Sequence, residues 1–324
     1  MNALRHMTAS PFSLPAGLQG RVLFDEPLAK HTSWRVGGPA DVFFKPASKQ
    51  DVALFLKSLP LDMPVLWLGL GSNLLVRDGG VRAAVIETHG ALSELQRLGE
   101  TEVWCDAGVP CAKLAKQCAK WNLGPAEFFA GIPGTLGGAL AMNAGAFGGE
   151  TWRHVVEVET INRQGEIKRR LESDYEVAYR HVRPVNDSHE EWFLGACLSF
   201  SASDADGEAE IRALLARRKE SQPIGEPSCG SVFTNPPGHH AAKLVESAGL
   251  KGFRIGGAVV STKHANFIIN EGTATAAELE QLIAFVKATV QQQYGIELKP
   301  EVRIVGEASA PVSDAWASTV KDSE

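Results

Sequence analysis

The stretch that decides the fold runs from Gly131 to Gly149 and reads GIPGTLGGALAMNAGAFGG. It is too rich in glycine for an ordinary core helix, because each helical Gly costs up to ~1 kcal/mol relative to Ala. It is also too apolar for a solvated linker. Glycines beside one Thr and one Asn are typical of backbone N–H groups turned toward an anion, such as the phosphates of a ligand. Taken alone, the stretch fits a tight, glycine-lined packing contact between two elements equally well.

A second glycine-rich stretch favours the ligand. Residues 69–80 read GLGSNLLVRDGG and follow a short apolar run, Val65–Leu68, that is typical of a buried strand. Two such loops fit a large ligand that is gripped along its length. A dinucleotide-binding Rossmann unit is disfavoured, because Leu74 stands where the third glycine of that fingerprint is required. No Gly-Lys-Ser or Gly-Lys-Thr occurs, so the chain has no P-loop.

The bulk composition is that of an ordinary globular protein with two or three cores. The chain has 324 residues, of which 44% are hydrophobic and 22% charged, and a net charge of −6. The acidic balance disfavours nucleic acid as a partner, and no apolar run is long enough to span a membrane. The five cysteines include no C-x-x-C pair, which predicts reduced thiols, a cytoplasmic location and no metal site. The N-terminal residues lack the apolar core of a signal peptide.

The chain divides at a polar break, residues 201–208, which we interpret as a domain boundary. Residues 1–20 have no hydrophobic period and predict a flexible arm, and residues 307–324 predict a disordered tail. Between them the pattern predicts these elements: a helix capped by Ser48 and ending near Leu59, a short helix at Thr135–Met142, a hairpin of Val155–Ile161 with Glu166–Leu171, helices at Ile211–Lys219 and Thr275–Tyr294, and a final strand at Glu297–Val305.

Several stretches together resemble the UDP-N-acetylenolpyruvoylglucosamine reductase family, flavoenzymes of peptidoglycan precursor synthesis. The two glycine loops alone would indicate only the wider vanillyl-alcohol-oxidase class of FAD-binding folds. The match becomes specific through Tyr179-Arg180, Ser231 and Glu301. The pieces that carry the resemblance are HTSWRVGG at 31–38, GLGSNLL at 69–75, residues 131–148, AYR at 178–180, CGSVF at 229–233, STKHANFIIN at 261–270 and LKPEVR at 298–303.

The resemblance implies an α+β fold with a vanillyl-alcohol-oxidase (PCMH) type FAD-binding domain in two subdomains. That domain is expected at 21–203, with a C-terminal α+β substrate-binding domain at 204–306. The expected protein is a cytoplasmic monomer that serves cell-wall biogenesis, cell shape and cell division. The wording around Ser231 and the short segment after Arg180 resemble the family's shorter second type, which lacks the long form's Tyr-bearing loop.

The resemblance also implies a reaction and roles for single residues. NADPH is expected to reduce FAD, which passes a hydride to the enolpyruvyl double bond of a UDP-sugar. Arg180 would bind the substrate carboxylate, Glu301 would stabilise the enolate and Ser231 would donate the proton. Asn235 and Lys219 are the expected substrate-binding residues, with Arg218 as a further candidate for the diphosphate. The expected FAD-binding residues are Gly69, Gly71, Ser72, Asn73, Gly131, Thr135, Gly138, Asn143 and Gly145.

Each catalytic candidate has a plainer interpretation. Arg180 alone would be a solvated or salt-bridged surface residue, Ser231 a turn hydroxyl, and Glu301 a carboxylate at a sheet edge. Two other functions remain open on the sequence: an oxidase of the same flavin class, and a carrier without catalysis. In a carrier, the three candidates would not converge in space.

Overall fold

The computed structural model of the protein describes residues 13–186 and 190–309, so much of the predicted arm and tail lies outside the described residues. The helices are α1 Lys49–Ser58, α2 Cys111–Lys120, α3 Leu136–Ala141, α4 Gly207–Ser221, α5 Ala241–Ser247 and α6 Ala276–Tyr294. The strands are β1 Arg21–Pro27, β2 Pro39–Lys45, β3 Val65–Leu68, β4 Leu74–Val76, β5 Val81–Glu87, β6 Leu95–Arg97, β7 Glu102–Asp106, β8 Leu123–Gly124, β9 Gly145–Ala146, β10 Gly149–Glu150, β11 Val155–Asn162, β12 Ile167–Leu171, β13 Tyr175–Ala178, β14 His181–Pro184, β15 Glu191–Ser199, β16 Ser201–Ala202, β17 Arg254–Ile255, β18 Ala258–Val260, β19 Ile268–Asn270 and β20 Arg303–Val305.

The first sheet has the order β1-β2-β5-β3, in which β1 is antiparallel and the other strands run parallel. Helix α1 covers one face, and its apolar side packs into the cluster built from β2 and β5. The predicted cap is confirmed, since the Ser48 hydroxyl accepts a hydrogen bond from Asp51 N at 3.1 Å. The Asp51 carboxylate in turn accepts from the N–H groups of Gln19 and Gly20, at 2.9 and 2.6 Å. The last residues of the predicted arm are therefore tied to the body.

The second sheet is antiparallel, in the order β12-β11-β15-β7-β6. The predicted hairpin of β11 and β12 is confirmed, and Asn162 Oδ1 closes its turn by accepting from Gln164 N and Glu166 N. Helices α2 and α4 pack against each other and contribute residues to the core cluster of this sheet, and α4 begins earlier than predicted, at an Asp206 cap. The two sheets are linked by the ammonium of Lys49, which lies 3.0 Å from Asp106 Oδ1 and 2.8 Å from Glu159 Oε1.

The third unit consists of the small sheet β17-β18-β19 with helices α5 and α6. Thr275 and Glu278 form a capping box at the start of α6, so the predicted helix is confirmed at its first turn. The 31–38 motif reaches this distant core, because the fully buried Trp34 donates from Nε1 to the Ile268 carbonyl at 2.8 Å. No helix in the described ranges is both long and apolar enough to cross a bilayer.

The prediction of a continuous final strand, Glu297–Val305, is wrong over its first six residues. Only β20 is a strand, and it runs parallel to β4, directly after the first glycine loop. Pro300 lacks an N–H group and so cannot continue a ladder in both directions. Instead, Glu301 N donates to the Val232 carbonyl at 2.7 Å, which brings the segment before β20 beside Ser231.

Candidate active site

The two glycine loops lie against each other. A Cβ atom placed on Gly69 would lie 2.5 Å from Thr135 Oγ1, and one on Gly134 would lie 3.3 Å from Ser72 Oγ. Gly69 is therefore the residue that the contact requires, because any side chain there would push the loops apart. Two loops that are far apart in sequence thus form one wall of the site.

The first loop presents a row of backbone donors. Among the described residues, none of the N–H groups of 70–73 donates a hydrogen bond within the chain. The loop is fixed from behind: Ser33 N donates to the Gly71 carbonyl at 3.1 Å, and a Cβ on Gly71 would lie 2.0 Å from the His31 carbonyl oxygen. Gly71 has φ +60°, which glycine adopts without strain. Successive unpaired N–H groups on a fixed loop form an anion-binding concavity that suits a diphosphate.

Thr135 supplies a second sign of a ligand. Its side chain is 2% exposed, yet Oγ1 has no hydrogen-bond partner in the described structure. A buried hydroxyl without a partner costs free energy, which a polar atom of a bound group would offset. The free donors of the first loop and this hydroxyl together fit the phosphates of FAD.

The second loop uses most of its glycines for packing. A Cβ on Gly131 would lie 2.4 Å from the Phe147 ring, and one on Gly145 would lie 2.3 Å from the Gly149 carbonyl. These two predicted FAD contacts are glycines because the chain packs against itself there. Gly138 is different, since it is exposed on α3 and its nearest neighbour would be Thr135 Oγ1 at 4.0 Å.

Two predicted FAD ligands have side chains that are already engaged. Asn73 Nδ2 donates to the Glu301 carbonyl at 3.1 Å and lies 3.6 Å from the sulfur of Met142. Asn143 Nδ2 donates to the Ala178 carbonyl at 3.3 Å, and its Oδ1 accepts from Trp152 N. Both amides therefore hold other parts of the chain.

Arg180 and Glu301 meet at the mouth of the two loops. The Nε atom of Arg180 lies 3.0 Å from Glu301 Oε1, although its N–H is not aligned for a hydrogen bond. Arg180 occupies the turn between β13 and β14 with φ +56°, a left-handed conformation that is uncommon for a residue with a side chain. Its guanidinium also lies over the ring of Tyr179, at 5.5 Å. The contact brings together an Arg and a Glu that are far apart in sequence.

The environment shifts the pKa of Glu301 upward. Burial raises the pKa of Glu301, and the charge of Arg180 partly opposes that rise. Cys229 is buried two residues before Ser231 in sequence, and burial together with the Glu301 carboxylate raises the pKa of its thiol well above the usual range. Cys229 is thus a buried packing residue, because burial disfavours its thiolate.

Ser231 opens onto a cleft of about 480 Å³, whose polar lining includes Asn235, His240, Lys243, Lys263 and His264. Ser231 is half-buried, and its neighbour Val232 accepts the hydrogen bond from Glu301 N that fixes the two segments side by side. The Arg180–Glu301 pair and Ser231 are thus held on adjoining segments. In a carrier without catalysis these three residues were expected to lie apart, and the structure does not show that.

Of the two predicted substrate-binding residues, Asn235 lines this cleft, and Lys219 contacts the lining residue Lys263. The side-chain oxygen Oδ1 of Asn235 accepts a hydrogen bond from Ala241 N, the first residue of α5, at 3.0 Å. Lys219 is exposed, and its backbone carbonyl accepts from the ammonium of Lys263. Arg218 faces elsewhere, since its Nη1 donates to the Gly131 carbonyl at 2.7 Å. This anchor of the second loop was missed on the sequence, where the charged face of α4 gave no sign of it.

Comparison with known proteins finds two family models that match this chain. A model of the FAD binding domain matches residues 40–170, and a model of the UDP-N-acetylenolpyruvoylglucosamine reductase C-terminal domain matches residues 222–305. A UDP-N-acetylenolpyruvoylglucosamine reductase of Legionella pneumophila (strain Corby) is 56% identical over 293 residues, which cover 90% of this chain and 94% of the relative.

Two further relatives give the same result. The reductase of Alkalilimnicola ehrlichii is 56% identical over 287 residues, covering 88% of this chain and 95% of its own. The crystal structure of the Thermus caldophilus reductase superposes with a TM-score of 0.74 at 29% identity, covering 89% of this chain and 99% of that one. The α+β architecture with a vanillyl-alcohol-oxidase (PCMH) type FAD-binding part, predicted from the sequence, is confirmed by these matches.

Proposed function

The chain belongs to the UDP-N-acetylenolpyruvoylglucosamine reductase family, and from that premise we propose that it uses NADPH to reduce UDP-N-acetylglucosamine enolpyruvate to UDP-N-acetylmuramate. It is a flavin-dependent oxidoreductase of peptidoglycan synthesis, and FAD is its cofactor. When bound, the flavin supplies the hydride for the substrate double bond. The observation that carries the proposal is the meeting of Arg180 and Glu301, 3.0 Å apart, beside the Ser231 segment.

Arg180 stabilises the negative charge that the reaction creates. Hydride addition at one carbon leaves enolate character on the carbon next to the substrate carboxylate. A guanidinium fixed in advance stabilises that charge without reorganising, and its planar fork fits a carboxylate better than an ammonium does. The left-handed backbone conformation of Arg180 is locally strained, and it places the guanidinium beside Glu301.

Glu301 acts as a hydrogen-bond donor in this proposal. Its carboxyl is mostly buried, and burial raises its pKa, so the protonated form is favoured next to a second carboxylate. A neutral carboxyl can donate to the developing enolate, as other buried acids do. An ionised Glu301 would instead repel the substrate.

Ser231 is the proton donor. A serine hydroxyl is a weak acid, so it can release a proton only to a strongly basic partner such as an enolate carbon, with a cation nearby. The Arg180 guanidinium supplies that cation. The rest of the substrate then extends into the cleft, where Asn235 and Lys219 contact the UDP-sugar and the ammonium of Lys263 adds positive charge near the diphosphate.

The domain limits remain those proposed on the sequence: a FAD-binding part at 21–203 and a substrate-binding part at 204–306. We further propose a cytoplasmic monomer. This location is supported by the free cysteines, and it is where a sugar nucleotide and NADPH meet.

Anaerobic stopped-flow spectroscopy tests the proposal in two steps. NADPH should bleach the flavin, and UDP-N-acetylenolpyruvoylglucosamine should restore its colour. Ser231→Ala should keep FAD and the first step but slow the second by ~10² or more, a typical loss for a general acid. Reoxidation at the wild-type rate in Ser231→Ala would remove this serine from the mechanism, and reoxidation by air alone would favour an oxidase.

A further inference from the structure

The Asn143 side chain forms its hydrogen bonds within the protein. It is 4% exposed, and both of its polar atoms have partners inside the protein. Its Nδ2 donates to the Ala178 carbonyl at 3.3 Å and to Glu150 Oε2 at 3.4 Å, and its Oδ1 accepts from Trp152 N at 3.1 Å. The amide therefore has no free N–H donor for the cofactor, although it lies in the second glycine loop.

Ala178 is the last residue before the turn that carries Arg180. Among the strands of residues 13–186 and 190–309, β13 and β14 pair only with each other, and a two-stranded hairpin alone is marginally stable. At the base of this hairpin, the Tyr175 hydroxyl donates to Glu191 Oε1 at 2.6 Å. At the tip, in the described part of the chain, Asn143 makes the one side-chain hydrogen bond that reaches the hairpin backbone from outside. Val177 and Val182 of the hairpin pack against the core, and the Asn143 contact adds a fixed hydrogen bond next to the turn at Arg180.

We propose that Asn143 is a positioning residue, which fixes the Ala178 carbonyl and thereby holds the Arg180 guanidinium beside Glu301. The inference rests on the proposed function, because it concerns the step in which Arg180 meets the substrate. Its consequence is that the second glycine loop, besides facing the cofactor, sets the geometry of the carboxylate-binding group. Misplacing such a group by about 1 Å costs up to ~10²-fold in rate.

The test uses Asn143→Gly in the FAD-loaded enzyme. Asn143 has φ +44°, which glycine adopts freely, so the substitution removes the amide without straining the backbone. The variant should keep its FAD and its rate of reduction by NADPH, while reoxidation by UDP-N-acetylenolpyruvoylglucosamine slows ~10- to 100-fold. The matched control is Asn162→Gly, which removes an equally engaged amide from the β11–β12 turn and should leave both steps unchanged.

A double-variant comparison separates positioning from general weakening of the fold. If Asn143 acts through Arg180, then adding Asn143→Gly to Arg180→Ala should cause little further loss, because the group that it positions is already gone. Asn143→Asp serves as a second variant should the glycine variant fold poorly. It keeps the acceptor for Trp152 N but turns the donor into a carboxylate oxygen facing the Ala178 carbonyl, so it should be at least as slow.

Three results would overturn the inference: loss of FAD from Asn143→Gly, wild-type reoxidation in both variants, or full additivity with Arg180→Ala. The first of these would make Asn143 a direct cofactor ligand. Failure of the proposed function has a separate signature, because the wild-type enzyme itself would then not be reoxidised by the UDP-sugar.

Discussion

The two glycine loops look alike in sequence and differ in what their glycines do. In the first loop, Gly69 lies against Thr135 and Gly71 lies against the His31 carbonyl, and these contacts fix the loop. They leave the N–H groups of 70–73 without partners within the described chain. In the second, Gly131 and Gly145 lie against the chain itself, and Gly138 alone among its predicted cofactor contacts faces open space. A glycine-rich motif thus indicates that the backbone lies close to another part of the chain or to a ligand. The unpaired N–H groups of 70–73 and the unpaired Thr135 hydroxyl are what indicate the ligand here.

Each loop also holds one half of the Arg180–Glu301 pair. Asn73 of the first loop donates to the Glu301 carbonyl across 228 residues of sequence, and Asn143 of the second donates to the carbonyl before Tyr179-Arg180. The site is therefore built at the junction of the loops. Substitutions at Gly71, on the packed side of the first loop, and at Gly138, on the exposed side of the second, should therefore differ in their effects on stability and on FAD binding.

The largest effect is expected at Gly71. Gly71→Ala forces a side chain into a left-handed turn and against the His31 carbonyl, 2.0 Å from the new Cβ, so backbone must move. We expect a loss of about 3 kcal/mol in the free energy of unfolding, typical of overpacking plus strain, and protein purified without FAD. Chemical denaturation and the visible spectrum measure the two results.

Gly148 provides the matched control. It has φ +87° but nothing within 4 Å of the added Cβ, so Gly148→Ala carries the conformational strain without the collision. Its cost should be about 1 kcal/mol, with FAD retained. Equal losses in the two variants would show that strain alone, and not the fixed back of the first loop, matters at Gly71.

The sequence predicted the elements whose information is local. Strand β3 was predicted with its true bounds, and Ser48 and Thr275 cap the predicted helices, because caps and periods depend on nearby residues. The hairpin of β13 and β14 was missed, since its turn residues Tyr179-Arg180 lack the usual Asn-Gly signal and adopt φ +56° at Arg180.

The candidate site was predicted only where the family resemblance supplied the residues. The meeting of Arg180 with Glu301 depends on the parallel pairing of β20 with β4 and on the bonds from Glu301 to Val232 and Asn73. Such long-range contacts leave no period or cap in the sequence. The roles of Asn73 and Asn143 as anchors were hidden for the same reason.

A moderate effect is expected at Thr135, where the loops touch. Thr135→Val removes a hydroxyl that has no partner in the described chain, so the protein without cofactor should be as stable as the wild type or slightly more so. FAD should bind about tenfold more weakly, the equivalent of ~1.4 kcal/mol, since one hydrogen bond to it is lost. Fluorescence titration of the apoprotein with FAD and thermal unfolding measure the two quantities. Unchanged FAD affinity would show that this hydroxyl does not face the cofactor.

The smallest effect is expected on the open face of α3, at Gly138. Gly138→Ala meets only Thr135 Oγ1 at 4.0 Å and gains helix propensity, so the apoprotein should be more stable by up to ~1 kcal/mol. FAD affinity should fall, because the new methyl occupies the face that we assign to the cofactor. Gly137→Ala, one residue earlier, places its Cβ 2.9 Å from the Ala107 Cβ and should lower stability instead. If Gly138→Ala left FAD affinity unchanged, the cofactor would not lie against the exposed face of α3, and Thr135 would be the residue of the second loop left to contact it.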